Sequence, residues 1–158
     1  MFLRPPIEPT GEGDFRLRLS DAERELLRSL PAQLRALLAE EPGDPGLRRL
    51  FPPAYERDKE GEAEYRRLTA DELLEGRQAA LRLVEETAGR DRLTAEELDA
   101  WLRALNDLRL VLGTRLDVTE ETYATDIEPE DPRAHELSVF GYLSWLQEQL
   151  VAAASGEL

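Results

Sequence analysis

Arginines on otherwise apolar helix faces are the residues of this sequence whose type and spacing most directly suggest binding chemistry. Arg77 and Arg109 each fall among apolar residues at helical spacing, in two successive predicted helices. A buried guanidinium must be paired, because an unpaired buried charge is strongly destabilising. One interpretation is that these arginines bridge to carboxylates such as Asp107 or Glu75 and fix helix packing. The other is that they converge, beside Asn106, on a pocket for an anion or a partner's carboxylate.

Two aromatic residues in the last predicted helix form the second candidate binding site. Tyr142 and Trp145 point away from the main apolar face of that helix and lie next to Ser138 and Gly141. A helix that is apolar on two sides is usually central, with other elements packed on both. Otherwise the two rings form an exposed patch of the kind that anchors protein interfaces. A homodimer through this helix is the simplest form of that second interpretation.

The segment 117–131 is acidic and carries seven carboxylates without a basic residue. Asp126, Glu128 and Glu130 have the alternate spacing of a calcium-binding loop. The sixth position of such a loop requires glycine and the twelfth requires glutamate, but Asp131 and Leu137 stand there. The segment is therefore interpreted as a solvated loop that could also dock a basic partner.

Catalytic and metal-binding motifs are not recognisable in the sequence. The chain has no cysteine, which excludes disulfides, thiolate catalysis and thiolate metal sites, and His135 is its single histidine. Gly11 and Gly13 lack the third glycine of a dinucleotide-binding loop and lead into a strand. We therefore expect neither an enzyme nor a bound metal or cofactor.

The net charge of −14 argues against two classes of partner. Nucleic-acid binders need a basic surface, and an anionic membrane would repel this chain. Helices at 70–88 and 95–112 could form a helix–turn–helix, but the first turn of the second carries Glu96, Glu97 and Asp99, which phosphates repel. No apolar run is long enough to span a bilayer and no signal peptide is evident, so we expect a cytoplasmic protein.

The elements that must position these residues begin with a hairpin over residues 1–19. Phe15, Leu17 and Leu19 alternate with arginines, which is the pattern of a half-buried strand. Turn-forming residues at 10–13 precede this strand, and residues 2–7 supply the other arm. Because Pro5 and Pro6 cannot donate to a strand ladder, that arm must be short or lie at an edge.

Residues 20–153 are predicted to form a bundle of about five helices. Capping boxes beginning at Ser20, Thr69 and Thr94 mark three helix starts. Pro31 interrupts the first helix, where we expect a kink or a break into two short helices. A separate short helix is expected at 58–68, and the helix over 95–116 should be the core element. We predict one mainly α-helical domain, 1–158, with an N-terminal β-hairpin.

Three stretches of the sequence resemble a known family. These are RRLFPPAY at 48–55, WLRALNDLRLVLGTRLDV at 101–118 and YLSWLQEQL at 142–150. They resemble the actinobacterial domain-of-unknown-function family 2017, over nearly the whole chain. The resemblance brings no established activity, cofactor or functional residue. It implies a protein partner connected with Clp proteolysis by gene association, and some members are labelled transcriptional regulators.

The sequence thus favours a non-catalytic protein-interaction or regulatory module. The alternatives are a small transcriptional regulator and a binder of a small anionic ligand. Its candidate binding residues are Arg77, Asn106, Arg109, Tyr142 and Trp145.

Overall fold

A computed structural model describes residues 4–50, 60–119 and 128–156, with the side chains of the second range described from residue 71 onward. In chain order its elements are β1 (Ile7–Pro9), β2 (Asp14–Leu17), α1 (Asp21–Glu40), a 3₁₀ turn (Pro45–Leu47), α2 (Glu60–Thr87), β3 (Arg92–Thr94), α3 (Ala95–Arg115) and α4 (Ala134–Ser155). The protein is mainly α-helical, as predicted. The part that the structure describes contains four α-helices, not about five.

The predicted N-terminal hairpin is present and belongs to a three-stranded antiparallel sheet of order β1-β2-β3, but its first arm is Ile7–Pro9 and not residues 2–7. Ile7 pairs with Leu17 and Pro9 with Phe15. Gly11 and Gly13 have positive φ angles of 87° and 94° in the turn between the strands, a conformation that glycine adopts without strain. Pro9 lies in the edge strand β1, where a missing N–H is tolerated. The third strand, β3, was not expected from the sequence.

Two of the three predicted capping boxes are present. The Ser20 hydroxyl accepts a hydrogen bond from the Glu23 N–H at 3.1 Å, and the Glu23 carboxylate accepts one from the Ser20 N–H at 3.0 Å. Thr94 and Glu97 make the same reciprocal pair at the start of α3. The box predicted at Thr69 is wrong, since α2 is helical throughout Glu60–Thr87. Residues 62–75 contain neither proline nor glycine, so the backbone can continue its hydrogen bonding, and the two predicted helices are one.

Of the kink or break expected at Pro31, the break does not occur, because α1 is a single helix with Pro31 inside it. Proline removes one backbone hydrogen bond at a cost of about 3 kcal/mol. Leu27, Pro31, Leu34 and Leu38 are buried on one face of α1, and packing of such a face supplies most of a helix's stability. The burial of this face outweighs the lost hydrogen bond.

Helix α3 is the core element, as predicted, and packs against α1, α2, α4 and the sheet. Trp101 of α3 is fully buried, and its indole Nε1 donates a hydrogen bond of 2.7 Å to the Thr87 hydroxyl of α2. Helix α4 lies against α3 and β1. None of the described helices has the length and apolar character needed to cross a membrane.

Candidate functional site

Arg77 projects from α2 towards α3 and contacts a buried carboxylate. Its Nε lies 3.2 Å from Oδ2 of Asp107, and the two side chains are 22% and 10% exposed. Burial raises the pKa of Asp107, and the charge and hydrogen bonding of Arg77 partly counteract this effect. Of the two interpretations of Arg77, the geometry therefore favours helix packing through Asp107. Glu75, the other carboxylate considered as a partner, is exposed.

Arg109 projects from α3 towards α4 and is held by neutral acceptors. Its Nε donates to the Ser144 hydroxyl at 3.0 Å, and its Nη1 donates to Oε1 of Gln147 at 2.5 Å. The guanidinium carbon lies 5.8 Å from the centre of the Phe140 ring. Among the described residues, Arg109 forms no ion pair with a carboxylate. The guanidinium is thus fixed in orientation by acceptors that carry no charge.

The two arginines do not converge on one pocket. Successive residues of an α-helix are separated by about 100°, so positions 107 and 109 lie on nearly opposite sides of α3. Arg77 meets α3 on the side of Asp107, whereas Arg109 leaves α3 on the other side, towards α4. Asn106 is exposed on α3. The structure therefore separates the three residues that the sequence grouped together.

Arg109 instead shares a cavity with Arg49, a residue that sequence reasoning did not select. The cavity has a volume of about 380 Å³, and its walls include Leu110, Val118 and Phe140. Arg49 follows the 3₁₀ turn and belongs to no periodic pattern, so no local signal marks it. Spatial proximity alone brings the two arginines to one site.

Gly113 lets helices α3 and α4 approach closely beside this cavity. A Cβ at this position would lie 3.1 Å from Cε2 of Phe140, tighter than ordinary contact. A larger residue at position 113 would therefore push the Phe140 ring away from α3 by a few tenths of an ångström.

Tyr142 and Trp145 have different environments, although their ring centres are 5.9 Å apart. The Tyr142 hydroxyl donates a hydrogen bond of 2.7 Å to Oε2 of Glu23 and so ties α4 to the start of α1. Burial and the Glu23 carboxylate raise the pKa of Tyr142. For Glu23, burial acts to raise the pKa, but the bonds from Tyr142 and Ser20 lower it overall. Trp145 is 43% exposed and is the one of the two aromatic residues that remains accessible.

A groove between α1, α3 and α4 is lined mainly by leucine side chains. It has a volume of about 260 Å³. Its apolar lining consists of Leu30, Leu34, Leu37, Leu108, Val111, Leu112 and Leu143. Leu30, Leu37 and Leu112 are partly exposed in it. Gln33, Glu40, Glu41 and Arg115 line its polar rim. Arg115 is paired with Asp44, whereas Glu40 and Glu41 form no ion pair with another described residue.

The described residues include no cluster of three or more histidine, cysteine or carboxylate side chains that could hold a metal ion. His135 is exposed near the start of α4. The predicted acidic loop lies partly outside the described residues, since 120–127 are not among them. Within the described ranges, some ion pairs join neighbouring elements, such as the bidentate pair of Arg35 with Glu85.

Comparison with known proteins settles the family. A domain of unknown function, DUF2017, matches residues 4–154. The chain belongs to this family. A protein of Mycobacterium tuberculosis named oxidative stress regulator AosR is 33% identical over 135 residues, which cover 75% of this chain and 62% of that relative. A putative oxidative stress regulator AosR of Mycobacterium leprae is 34% identical over 137 residues, 73% of this chain and 60% of the relative.

The chain thus spans about 60% of the length of these curated DUF2017 relatives. No solved structure matches it. The names of these relatives support a regulatory role in general, which agrees with the regulatory module expected from the sequence. The residues that a DUF2017 protein would use for that role have to be inferred from its own surface.

Proposed function

We propose that this protein is a non-catalytic regulator that acts in the cytoplasm by binding a partner protein. Two curated relatives are named as oxidative stress regulators, and regulation by a small domain commonly proceeds through an interaction. These 158 residues contain no cysteine. A role in oxidative stress would therefore not use a thiol of this chain as the sensor.

The observation that carries the proposal is the groove between α1, α3 and α4. Partly exposed leucines line it from two helices, which is the kind of surface that accepts the apolar face of a partner's amphipathic helix. Burial of these leucines by a partner would provide the hydrophobic part of the binding free energy.

The charge around the groove specifies the chemistry of the partner. Glu40 and Glu41 are exposed on its rim, and the whole chain has a net charge of −14. A helix with apolar anchors and lysine or arginine beside them would be complementary to this rim. The attraction should also accelerate association and should weaken as ionic strength rises.

Affinity capture with charge-reversed protein tests this proposal. Tagged protein is incubated with lysate from cells that naturally contain it, at low and high salt, and bound proteins are identified by mass spectrometry. We expect the double variant Glu40→Lys, Glu41→Lys to lose a partner that the wild type retains. Glu86→Lys, an exposed substitution on α2, makes the same type of charge change away from the groove and should keep the partner.

The outcome against the proposal is equal capture by the wild type, the rim variant and the control variant. Capture that is insensitive to salt would also contradict the predicted basic character of the partner.

Trp145 supports a second mode of interaction, a homodimer through α4. It is 43% exposed, and α4 is otherwise polar at Ser138 and Glu148 on that side. A single exposed aromatic residue is a weaker signal than a groove. Sedimentation equilibrium distinguishes the two modes, since a homodimer would have twice the mass of the 17.9 kDa chain and should dissociate in Trp145→Ala. Val151→Ala, at a residue 50% exposed on the same helix, is the matched control.

Direct DNA binding is disfavoured as the regulatory activity. Glu96 and Glu97 occupy the first turn of α3, where a recognition helix would meet phosphates and bases. We expect no salt-sensitive shift of duplex DNA in an electrophoretic assay.

A further inference from the structure

The cavity between Arg49 and Arg109 is a positively charged site in a strongly acidic protein. Both arginines line it, and neither forms an ion pair with a carboxylate among the residues that the structure describes. Arginines at other contacts between helices are paired, as in Arg35 with Glu85 and Arg77 with Asp107. The two cavity arginines differ from these, since neither has a carboxylate partner among the described residues.

The guanidinium of Arg109 is held ready for an anion. Ser144 and Gln147 accept from Nε and Nη1, and Nη2 makes no hydrogen bond to a described residue. Both acceptors are neutral, so they fix the orientation without neutralising the charge. A partly buried cation in apolar surroundings is unfavourable, and a bound anion would relieve that cost. A preoriented group also loses little side-chain entropy on binding.

The other residues that line the cavity indicate which kind of chemical group is attached to the anion. Leu110, Val118 and Phe140 give the cavity an apolar surface, and the Phe140 ring is fixed against α3 at Gly113. The volume of about 380 Å³ falls within the range of small-molecule sites, roughly 300–1,000 Å³. An inorganic ion would make no apolar contact with these walls.

We propose that this cavity binds a carboxylate attached to an apolar or aromatic group. The carboxylate lies between Arg49 and Arg109, and the apolar group packs on Phe140 and Leu110. Such a carboxylate can belong to a small organic acid or to the C-terminus of a polypeptide, since both present the same chemistry. The site shares no lining residue with the groove between α1, α3 and α4. The protein could therefore bind this ligand in addition to a partner in the groove.

Titration of the ¹⁵N-labelled full chain, followed by NMR, tests this proposal. The probes are phenylacetate for a free organic acid, and a hexapeptide ending in phenylalanine for a polypeptide C-terminus. The same peptide with an amidated terminus, and inorganic phosphate, are the controls. We expect saturable shifts of the amides of Leu110, Gly113 and Val118 with either or both carboxylate probes, and no saturable shifts with the amidated peptide or with phosphate.

Variants assign the binding to the two arginines. Arg49→Ala should weaken binding roughly tenfold, as expected for loss of one charged contact. Arg48→Ala removes a neighbouring exposed arginine that does not line the cavity and should leave the affinity unchanged. Arg109→Lys keeps the charge but loses the planar fork, so it should also weaken binding. Thermal unfolding of each variant shows whether its fold is intact.

Three results would overturn the proposal. They are the absence of saturable shifts with both carboxylate probes, saturable shifts confined to other parts of the chain, and equal affinity of the wild type and Arg49→Ala.

Discussion

Replacement of Arg77 by methionine tests whether the contact of Arg77 with Asp107 is a structural ion pair. Methionine is similar in length and leaves Asp107 without the charge that stabilises its ionised form. Removal of one member of a fully buried pair costs about 3–5 kcal/mol. Because 22% of the Arg77 side chain is exposed, we expect the lower end of that range, about 3 kcal/mol at pH 7.

The pH dependence of this loss is the specific part of the prediction. Burial already raises the pKa of Asp107, and removal of Arg77 raises it further. In the variant, the cost of the buried charge is present at pH 7 and disappears as the pH falls through the raised pKa, because the folded state then binds a proton. At pH 4.5 the difference from the wild type should shrink to about 1 kcal/mol, the loss of packing alone.

Urea unfolding of both proteins at the two pH values measures this difference, since urea is uncharged and does not screen the pair. The control is the double variant Arg77→Met, Asp107→Asn, whose difference from Asp107→Asn alone should not depend on pH. An equal destabilisation of Arg77→Met at pH 7 and pH 4.5 would refute the reasoning. Such a result would mean that Arg77 does not stabilise the ionised form of Asp107.

Two further predictions concern contacts of α4. Gly113→Ala places a Cβ 3.1 Å from the Phe140 ring and should destabilise the fold by about 1–2 kcal/mol in urea unfolding. Gly141→Ala has nothing within 4 Å of its Cβ and should stabilise the fold by about 0.5–1 kcal/mol. The opposite order of stabilities would contradict the packing described. Tyr142→Phe should cost about 1 kcal/mol at neutral pH through the lost bond to Glu23. Because the pKa of Glu23 is lowered in the folded state, the ionised Glu23 carboxylate stabilises the fold above its unfolded-state pKa, and this stabilisation is lost as the pH falls. The loss of stability caused by Tyr142→Phe should therefore diminish in acid. An equally large loss at pH 3 would contradict this prediction.

The sequence predicted those parts of the fold that depend on local chemistry. The capping boxes at Ser20 and Thr94 are correct because a reciprocal pair of hydrogen bonds is complete within four residues. The same motif at Thr69 was misleading, because a motif does not show whether the preceding turn is already helical. A break, one of the two outcomes expected at Pro31, does not occur for a related reason, since the burial that outweighs the lost hydrogen bond comes from distant parts of the chain. Strand β3 has only three residues and is defined by its pairing with β2.

The candidate site was predictable only in part. Helical periodicity correctly identified Arg77 and Arg109 as lying on packed faces, but it does not specify which neighbour each face meets. Their separation, the pairing of Arg109 with neutral acceptors and its proximity to Arg49 all depend on how α2, α3 and α4 pack. The groove is likewise formed by three helices and has no signature in any one of them.

Site-specific photocrosslinking in living cells tests the central claim, that this protein binds a partner through the groove. Benzoylphenylalanine in place of Gln33, an exposed residue on the rim, is compared with the same substitution at Glu86, an exposed residue on α2 outside the groove. We predict a discrete crosslinked product with one protein from position 33 that is absent from position 86, and that disappears when Glu40 and Glu41 are both lysine. Identical products from both positions, or none from position 33, would contradict a partner in the groove.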